Sequence, residues 1–185
     1  MKRLALLALA TAACGNPDNL VVGSIPLDPN TTIGIATVRS AIHAVANVTV
    51  TQGQPPVSLS VIVLSNASDL CGKLQAHPDY FHVSYEQSTS LLLFAPAGLV
   101  GDFFFGQQNV AADVYFGTTP ADAGAPGTVT VYKGAAAGQT SLAQFDSEAR
   151  GSFDWFISDK VGGLHEFFGR FKTSPCAALA SATLP

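Results

Sequence analysis

The sequence predicts an all-β domain, an antiparallel β-sandwich or barrel, carrying one short helix at about residues 67–76. Three observations carry this. Short stretches of alternating polarity recur from Val38 to Lys172, the period-two signature of strands with one face buried. Between them fall turn residues, drawn from 17 Gly and 11 Pro, spaced too closely for intervening helices. A single stretch, from Asn66 to His77, shows helical spacing instead.

At the N-terminus, Lys2 and Arg3 precede an unbroken run of Leu, Ala and Thr from Leu4 to Ala13. That is a secretory signal pattern, and it is far too short to span a bilayer. Thr11-Ala12-Ala13-Cys14 resembles the lipobox of bacterial lipoproteins, with Thr11 standing where Leu is usual. The resemblance implies that residues 1–13 are removed and that Cys14 is lipidated, anchoring the chain to a membrane through several acyl chains. Gly15 rather than Asp follows the cysteine, which implies the outer membrane of a Gram-negative envelope. The alternative is secretion after ordinary cleavage at Ala10-Thr11-Ala12. Residues 14–35, with Pro17, Pro26 and Pro29, then read as the lipidated cysteine and a tether. Leu20, Val21, Val22 and Ile25 would allow part of that tether to add to a sheet. Residues 36–185 form the all-β domain.

Within that domain, Val38, Ile42, Ala44, Ala46, Val48 and Val50 share one parity, and Arg39, His43, Asn47 and Thr49 the other. This predicts a long half-buried strand with a solvated His43, ended by Gly53-Gln54-Pro55-Pro56. Val57 to Leu64 begins half exposed and ends fully buried. Asn66 is placed to cap the helix, and Pro78 ends it. Further strands follow at 80–86, 90–95, 102–105, 110–116, 128–133, 141–145, 151–157 and 164–172. Turns at 96–98, 119–120, 124–127 and 134–138 separate most of them. The last two strands form a hairpin with 158–162 as its loop. Phe153, Trp155 and Ile157 share one face, as do Phe167 and Phe171, and Gly151 and Gly169 make room for opposing rings.

With Cys14 carrying lipid, Cys71 and Cys176 remain, an even number that favours a disulfide in an exported chain. The alternatives, a reactive thiol or a metal pair, lack a His or Cys at short ligand spacing. The run from Gly169 to Leu179, with Pro175-Cys176, together with Asp69-Leu70-Cys71 and the β-rich middle, resembles uncharacterised Gram-negative lipoproteins of all-β type. That resemblance also implies a Cys71–Cys176 link, and it implies no activity.

Composition narrows the function classes. Charged residues make up 12% and hydrophobic types 48% of the chain, and mean hydropathy is +0.31. This excludes intrinsic disorder. Nine basic residues and a net charge of −4 argue against nucleic acid as a partner, and no run of 18 apolar residues exists to form a spanning helix. No G-x-S-x-G elbow, H-E-x-x-H, P-loop or Rossmann fingerprint is present, and no cofactor is implied. Asn30, Asn47 and Asn66 begin glycosylation sequons by pattern, accidental in a bacterial chain.

His77, Asp79 and His82 are the nearest approach to a metal cluster, and they read as polar residues around a helix end. His165 and Glu166 with Asp154 or Asp159 would be an acid–base set, but neighbours on a strand point to opposite faces. The unexplained feature is aromatic. Phe103-Phe104-Phe105, Tyr115-Phe116, Trp155-Phe156 and Phe167-Phe168 put rings on both faces of their strands. Either a further layer covers the outer face, or an exposed patch binds a protein, glycan or lipid. The leading expectation is a lipid-anchored, non-enzymatic envelope protein acting by binding or as a structural element. The alternative is a secreted or anchored hydrolase without a recognisable motif. A pocket gathering the His and Asp residues above would favour the enzyme, and a flat aromatic face would favour binding.

Overall fold

The computed structural model describes residues 18–28, 31–49, 55–119, 126–133 and 135–184. The signal segment, Cys14, Asn30, the Gly53-Gln54 turn and parts of the turns at 120–125 and 134 lie outside the described residues. The strands are β1 (Leu20–Val22), β2 (Ser24–Asp28), β3 (Thr31–Gly34), β4 (Ser40–Val48), β5 (Val57–Ser65), β6 (Ser88–Pro96), β7 (Gly101–Phe104), β8 (Ala111–Gly117), β9 (Val129–Tyr132), β10 (Ala135–Phe145), β11 (Ala149–Ser158) and β12 (Leu164–Pro175). Two helices, α1 (Leu70–Ala76) and α2 (Ala177–Ser181), complete the described elements.

The expected all-β sandwich is present. Strand order is β7-β10-β11-β12-β4-β5-β6-β8-β9, with β1 also paired to β12, and the path does not close into a barrel. The pairings are antiparallel except at one junction, where Ser174 and Pro175 of β12 run parallel to Ile42 and His43 of β4. There the sheet folds over, so that β7-β10-β11-β12-β1 faces β4-β5-β6-β8-β9. Phe153, Trp155, Ile157, Phe167 and Phe171 from one half meet Ile62, Leu64, Leu91, Leu93 and Phe116 from the other in the main core. The apolar residues of the tether segment do join the sheet: β1 pairs with Phe168–Arg170, and Ile25 and Ile33 of the β2–β3 hairpin are buried in the same core.

A second core lies on the far face of β4-β5-β6-β8. Val61, Val63, Leu92 and Tyr115 of the sheet are covered there by Leu70 and Leu74 of α1, by Leu179 of α2, and by Tyr80 and Phe81. Cys71 and Cys176 are joined in a disulfide with a Cα–Cα distance of 5.8 Å, pinning the two helices together. Ser40 at the start of β4 ties that strand to the bend before α1: its Oγ donates to the Ala67 carbonyl and accepts from the Leu70 amide.

Four expectations are corrected. The helix begins at Leu70, capped by Asp69 in the left-handed region (φ 48°), whose carboxylate accepts from the Gly72 amide. Asn66 instead accepts from the Thr89 amide, tying the preceding bend to β6. Residues 80–86 are successive turns rather than a strand, with one bridge at Ser84–Gly127. Tyr80 and Phe81 are neighbours that both enter the second core, which strand alternation forbids. The presumed turn at 134–138 lies largely within β10, where Ala135 pairs with Ile157 and a bulge separates Ala135 from Ala137. Gly138 (φ +136°) sits so close to Asp154 and Trp155 that a Cβ would collide with both. His43 is 2% exposed, not solvated. It stands at the fold-over junction, with Nδ1 2.8 Å from Thr173 Oγ1, Nε2 3.1 Å from the Asp146 carbonyl oxygen, and the Phe145 ring edge-on at 5.0 Å.

Candidate functional site

The paired aromatics divide according to which face of the sandwich has a further layer. Tyr115 and Phe116 are both buried, because β8 has a core on each side. Burial pushes the Tyr115 phenol well above its ordinary value, and the Asp113 charge adds to the shift. Tyr80 is shifted upward likewise, mainly by burial, with its hydroxyl 2.8 Å from Glu86 Oε1 and 3.1 Å from Ser88 Oγ. Glu86 also pairs with Lys73 of α1, which holds the 77–86 segment against the helix.

The other half of the sandwich is different. Phe103, Trp155 and Phe167 point into the main core, so their neighbours Phe104, Phe156 and Phe168 point outward. Strand register shows where they meet. Phe104 of β7 stands opposite Gln139 of β10, Gln139 opposite Asp154 of β11, Asp154 opposite Phe168 of β12, and Phe168 opposite Val22 of β1. These five side chains therefore form one cross-strand row on the outer face. At about 4.8 Å per strand, the row is about 19 Å long and its two phenylalanines are about 14 Å apart. One register step away, Phe156 is flanked by Ala137 and Glu166. One step in the other direction lie Asp102, Ser141, Ser152, Arg170 and Leu20.

Phe104 is 47%, Phe168 41% and Leu20 45% exposed, so the row is an open surface. Beneath it the sheet is closely packed. Trp155 is fully buried and its indole N–H donates to Thr140 Oγ1 at 2.9 Å. The hairpin glycines do what their position suggests. Gly151 is opposite Phe171 and Gly169 opposite Phe153 in register, and a Cβ at either glycine would stand only 2.8 Å or 3.0 Å from the facing ring tip. In the middle of the row Asp154 Oδ1 is withdrawn from solvent and accepts no hydrogen bond from the protein.

The candidate polar residues do not converge. His77 stacks on Tyr85 with ring centroids 3.9 Å apart, and the Tyr85 hydroxyl donates to Asp79, which raises the Tyr85 phenol. His82 is exposed nearby. Asp159 and His165 do meet, with Nε2 2.9 Å from Oδ2. Asp159 also accepts from the Val161 and Gly163 amides, so the pair closes the β11–β12 loop. The hydrogen bond from His165, followed by those amides, holds the Asp159 carboxyl below its ordinary range. Glu166 lies on the opposite face of β12, beside Phe156, and Asp154 is on the outer face two rows of strand from that loop. Among the described residues no group of three His, Cys, Asp or Glu is placed to hold a metal ion.

Three hollows formed by described residues are lined by none of these six His and Asp side chains. The widest, a shallow cleft of about 420 Å³, lies over the fold-over junction between His43, Val45, Phe145 and Cys176. Both ring nitrogens of His43 are already engaged there. Another of about 190 Å³ opens at the uncovered end of the second core, between Leu59, Phe94, Val110 and Lys133. The third, about 10 Å³ beside Tyr115, is of water size. The sequence signal for the outer face was the doubled aromatics. What it lacked was the register that separates Phe104 from Phe103 and aligns it with Phe168. No protein-family model matches the chain, and no similar protein was found among curated sequences or among solved structures.

Proposed function

We propose that this is a lipid-anchored cell-envelope protein that works by binding, with the outer face of β7-β10-β11-β12-β1 as its binding surface. One observation carries the reading: Phe104, Phe156 and Phe168 stand exposed or half exposed on a single face of one sheet. A sheet whose outer face merely met solvent would carry polar side chains at those positions. The anchor is Cys14, with residues 1–13 removed as the signal, and the outer membrane is the expected address. From Cys14 to Asp18, the first described residue, the chain reaches at most about 14 Å. Asp18 is held 3.8 Å from Lys172, and the Asn19 side chain accepts from the Lys172 amide. The binding face, which includes Leu20 and Val22, would thus stay close to the membrane surface.

Two measurements test this. Radioactive palmitate fed to the producing bacterium labels the wild-type chain and not Cys14→Ser, and equal labelling of both ends the lipoprotein reading. The Cys14→Ser chain is retained on isolated envelopes, and Phe104→Ala/Phe168→Ala reduces that retention at least tenfold. Undiminished retention of the double variant ends the assignment of the face.

A further inference from the structure

We infer that the free edge of β4 takes up an extended segment of a partner protein as an added strand. This site is separate from the outer face above: it lies at the fold-over junction, and its occupant is a peptide backbone.

Strand pairing leaves that edge open. β4 keeps unbroken register with β5 from Ser40 opposite Ser65 to Val48 opposite Val57. On its other side it meets β12 only at Ile42 and His43. The Cys176 amide then donates to the His43 carbonyl at 2.9 Å, and the chain turns away into α2. That bond shows that the backbone groups of His43 face β12. Backbone groups along a strand alternate between its two edges, so those of Val45 and Asn47 face the same way. Among the described residues no strand pairs with this edge past His43, and no backbone hydrogen bond from a turn or loop reaches Val45 or Asn47. The edge from Ala44 to Val48 is about 13 Å long.

Sheet edges are ordinarily blunted by lysine, proline, a bulge or an overlying layer. Ala44-Val45-Ala46-Asn47-Val48 has no charge, no proline and no break in register. β7, at one end of the sheet, is four residues long and carries Asp102. The β4 edge instead opens into the shallow cleft of about 420 Å³. Ala177 and Ala180 of α2 flank that cleft on the side of the second core, and Phe145 flanks it on the side of the main core. Pro175 and Cys176 close the end where β12 leaves.

The lining selects a strand. His43 and Asp146 are the polar side chains of the cleft, and both are engaged within the protein. His43 meets Thr173 and the Asp146 carbonyl, and Asp146 Oδ1 accepts from Gln144 and Ser147. What the edge itself offers is the N–H and C=O row of β4, which an extended peptide matches at strand spacing. Both walls are apolar, so an added strand meets apolar surface with side chains of either parity, and the segment that fits is continuously apolar. The β4 edge of a second copy is flanked by its own α2 and Phe145, which would meet these walls before the edges could pair.

The test uses the full chain carrying Cys14→Ser, immobilised and presented with a phage-displayed library of random heptapeptides. Asn47→Pro removes an N–H of the free edge, a position where a strand accommodates proline. Ala180→Arg fills the cleft from an exposed helix position. Trp155 fluorescence and the urea midpoint check that each variant folds, and should Asn47→Pro fail to fold, Ala180→Arg serves alone. The expected result is enrichment of apolar sequences over the variants. A peptide synthesised from that set binds the parent chain tenfold or more tighter than either variant, and Phe168→Ala on the outer face leaves its binding unchanged. In the complex, hydrogen exchange at the Val45 and Asn47 amides slows at least tenfold. No enrichment over the variants overturns the inference, as does a bound peptide that leaves those two amides exchanging as before. Loss of peptide binding in Phe168→Ala overturns it by placing the peptide on the outer face. A dimer in sedimentation velocity that Asn47→Pro or Ala180→Arg dissolves also overturns it, because the edge then belongs to a second copy.

Discussion

Replacing both Cys71 and Cys176 with alanine tests how the second core is held. The disulfide closes a loop spanning 105 positions, from α1 to the start of α2. In the chain-entropy account, a loop of that length restrains the unfolded chain by up to about 4.7 kcal/mol, and loss of a native bridge from an exported domain costs about 2–5 kcal/mol. Against a typical total of about 5–15 kcal/mol, this is a large fraction. The folded side adds to the argument. α2 has five residues and no side-chain cap, yet it brings Leu179 into the second core and leads into Thr183, whose amide donates to the Pro78 carbonyl. A helix so short has little stability of its own, so it depends on the bridge and on Leu179. The assay is urea unfolding followed by Trp155, the chain's one tryptophan, which is fully buried in the other core. The double variant should unfold with at least about 2 kcal/mol less stability, a fall in Tm of about 4–8 °C or more for a chain of this size. A shift below about 1 kcal/mol refutes the reasoning. That result would hold against it even if the α2 amides exchanged faster, because it would mean that the bridge secures α2 locally and leaves the unfolded ensemble unchanged.

Gly151→Ala places a Cβ against the Ser141 carbonyl and 2.8 Å from Phe171 Cζ. It should destabilise the chain by about 1–3 kcal/mol in the same urea assay, and an unchanged midpoint would show that β10 and β12 yield freely. The β11–β12 loop should be sensitive to acid. Asp159 has a lowered folded-state pKa, so its contribution is present above the ordinary carboxylate range and fades as pH falls through the depressed value. The Val161 and Gly163 amide signals should shift together in that acid range, and in Asp159→Asn they should lose this titration. Amides that titrate identically in wild type and variant would contradict it.

Much of the strand pattern could be read from residue order alone, because alternation follows directly from the pleat. β5 begins half exposed and ends buried as its pattern indicates, and the β11–β12 hairpin matches its aromatic parity and its glycine–ring pairs. What escaped depends on distant cover. His43 has the parity of a solvated residue, but it sits where β12 crosses to β4 and Thr173, Phe145 and Asp146 close over it. The α2 helix is hidden for a related reason: Ala177–Ser181 has no caps or periodicity of its own, and its place is fixed by Cys176 and Leu179. Residues 80–86 have strand-forming composition, yet the aromatic pair at 80–81 is needed on one side, and turns supply that. For the candidate face, doubled aromatics marked the strands, while the choice of outward ring depended on pairing partners far along the chain.

The two outer faces of the sandwich make the case for binding by contrast. Both carry aromatic or large apolar side chains, and an uncovered apolar sheet face is costly in water. Over β4-β5-β6-β8 the chain solves this with α1, α2, the 77–86 turns and a disulfide that locks them in place. Over β7-β10-β11-β12-β1 no such layer is formed by the described residues, and the exposed rings there stand among Gln139, Asp154 and Glu166. Simple solvation would need no phenylalanine there, and a buried interface between layers would not tolerate a carboxylate at the centre. Rings set among polar side chains suit a surface that meets a partly apolar partner and returns to water when it leaves. The covered face stabilises the domain, and the open one is where its function is to be sought.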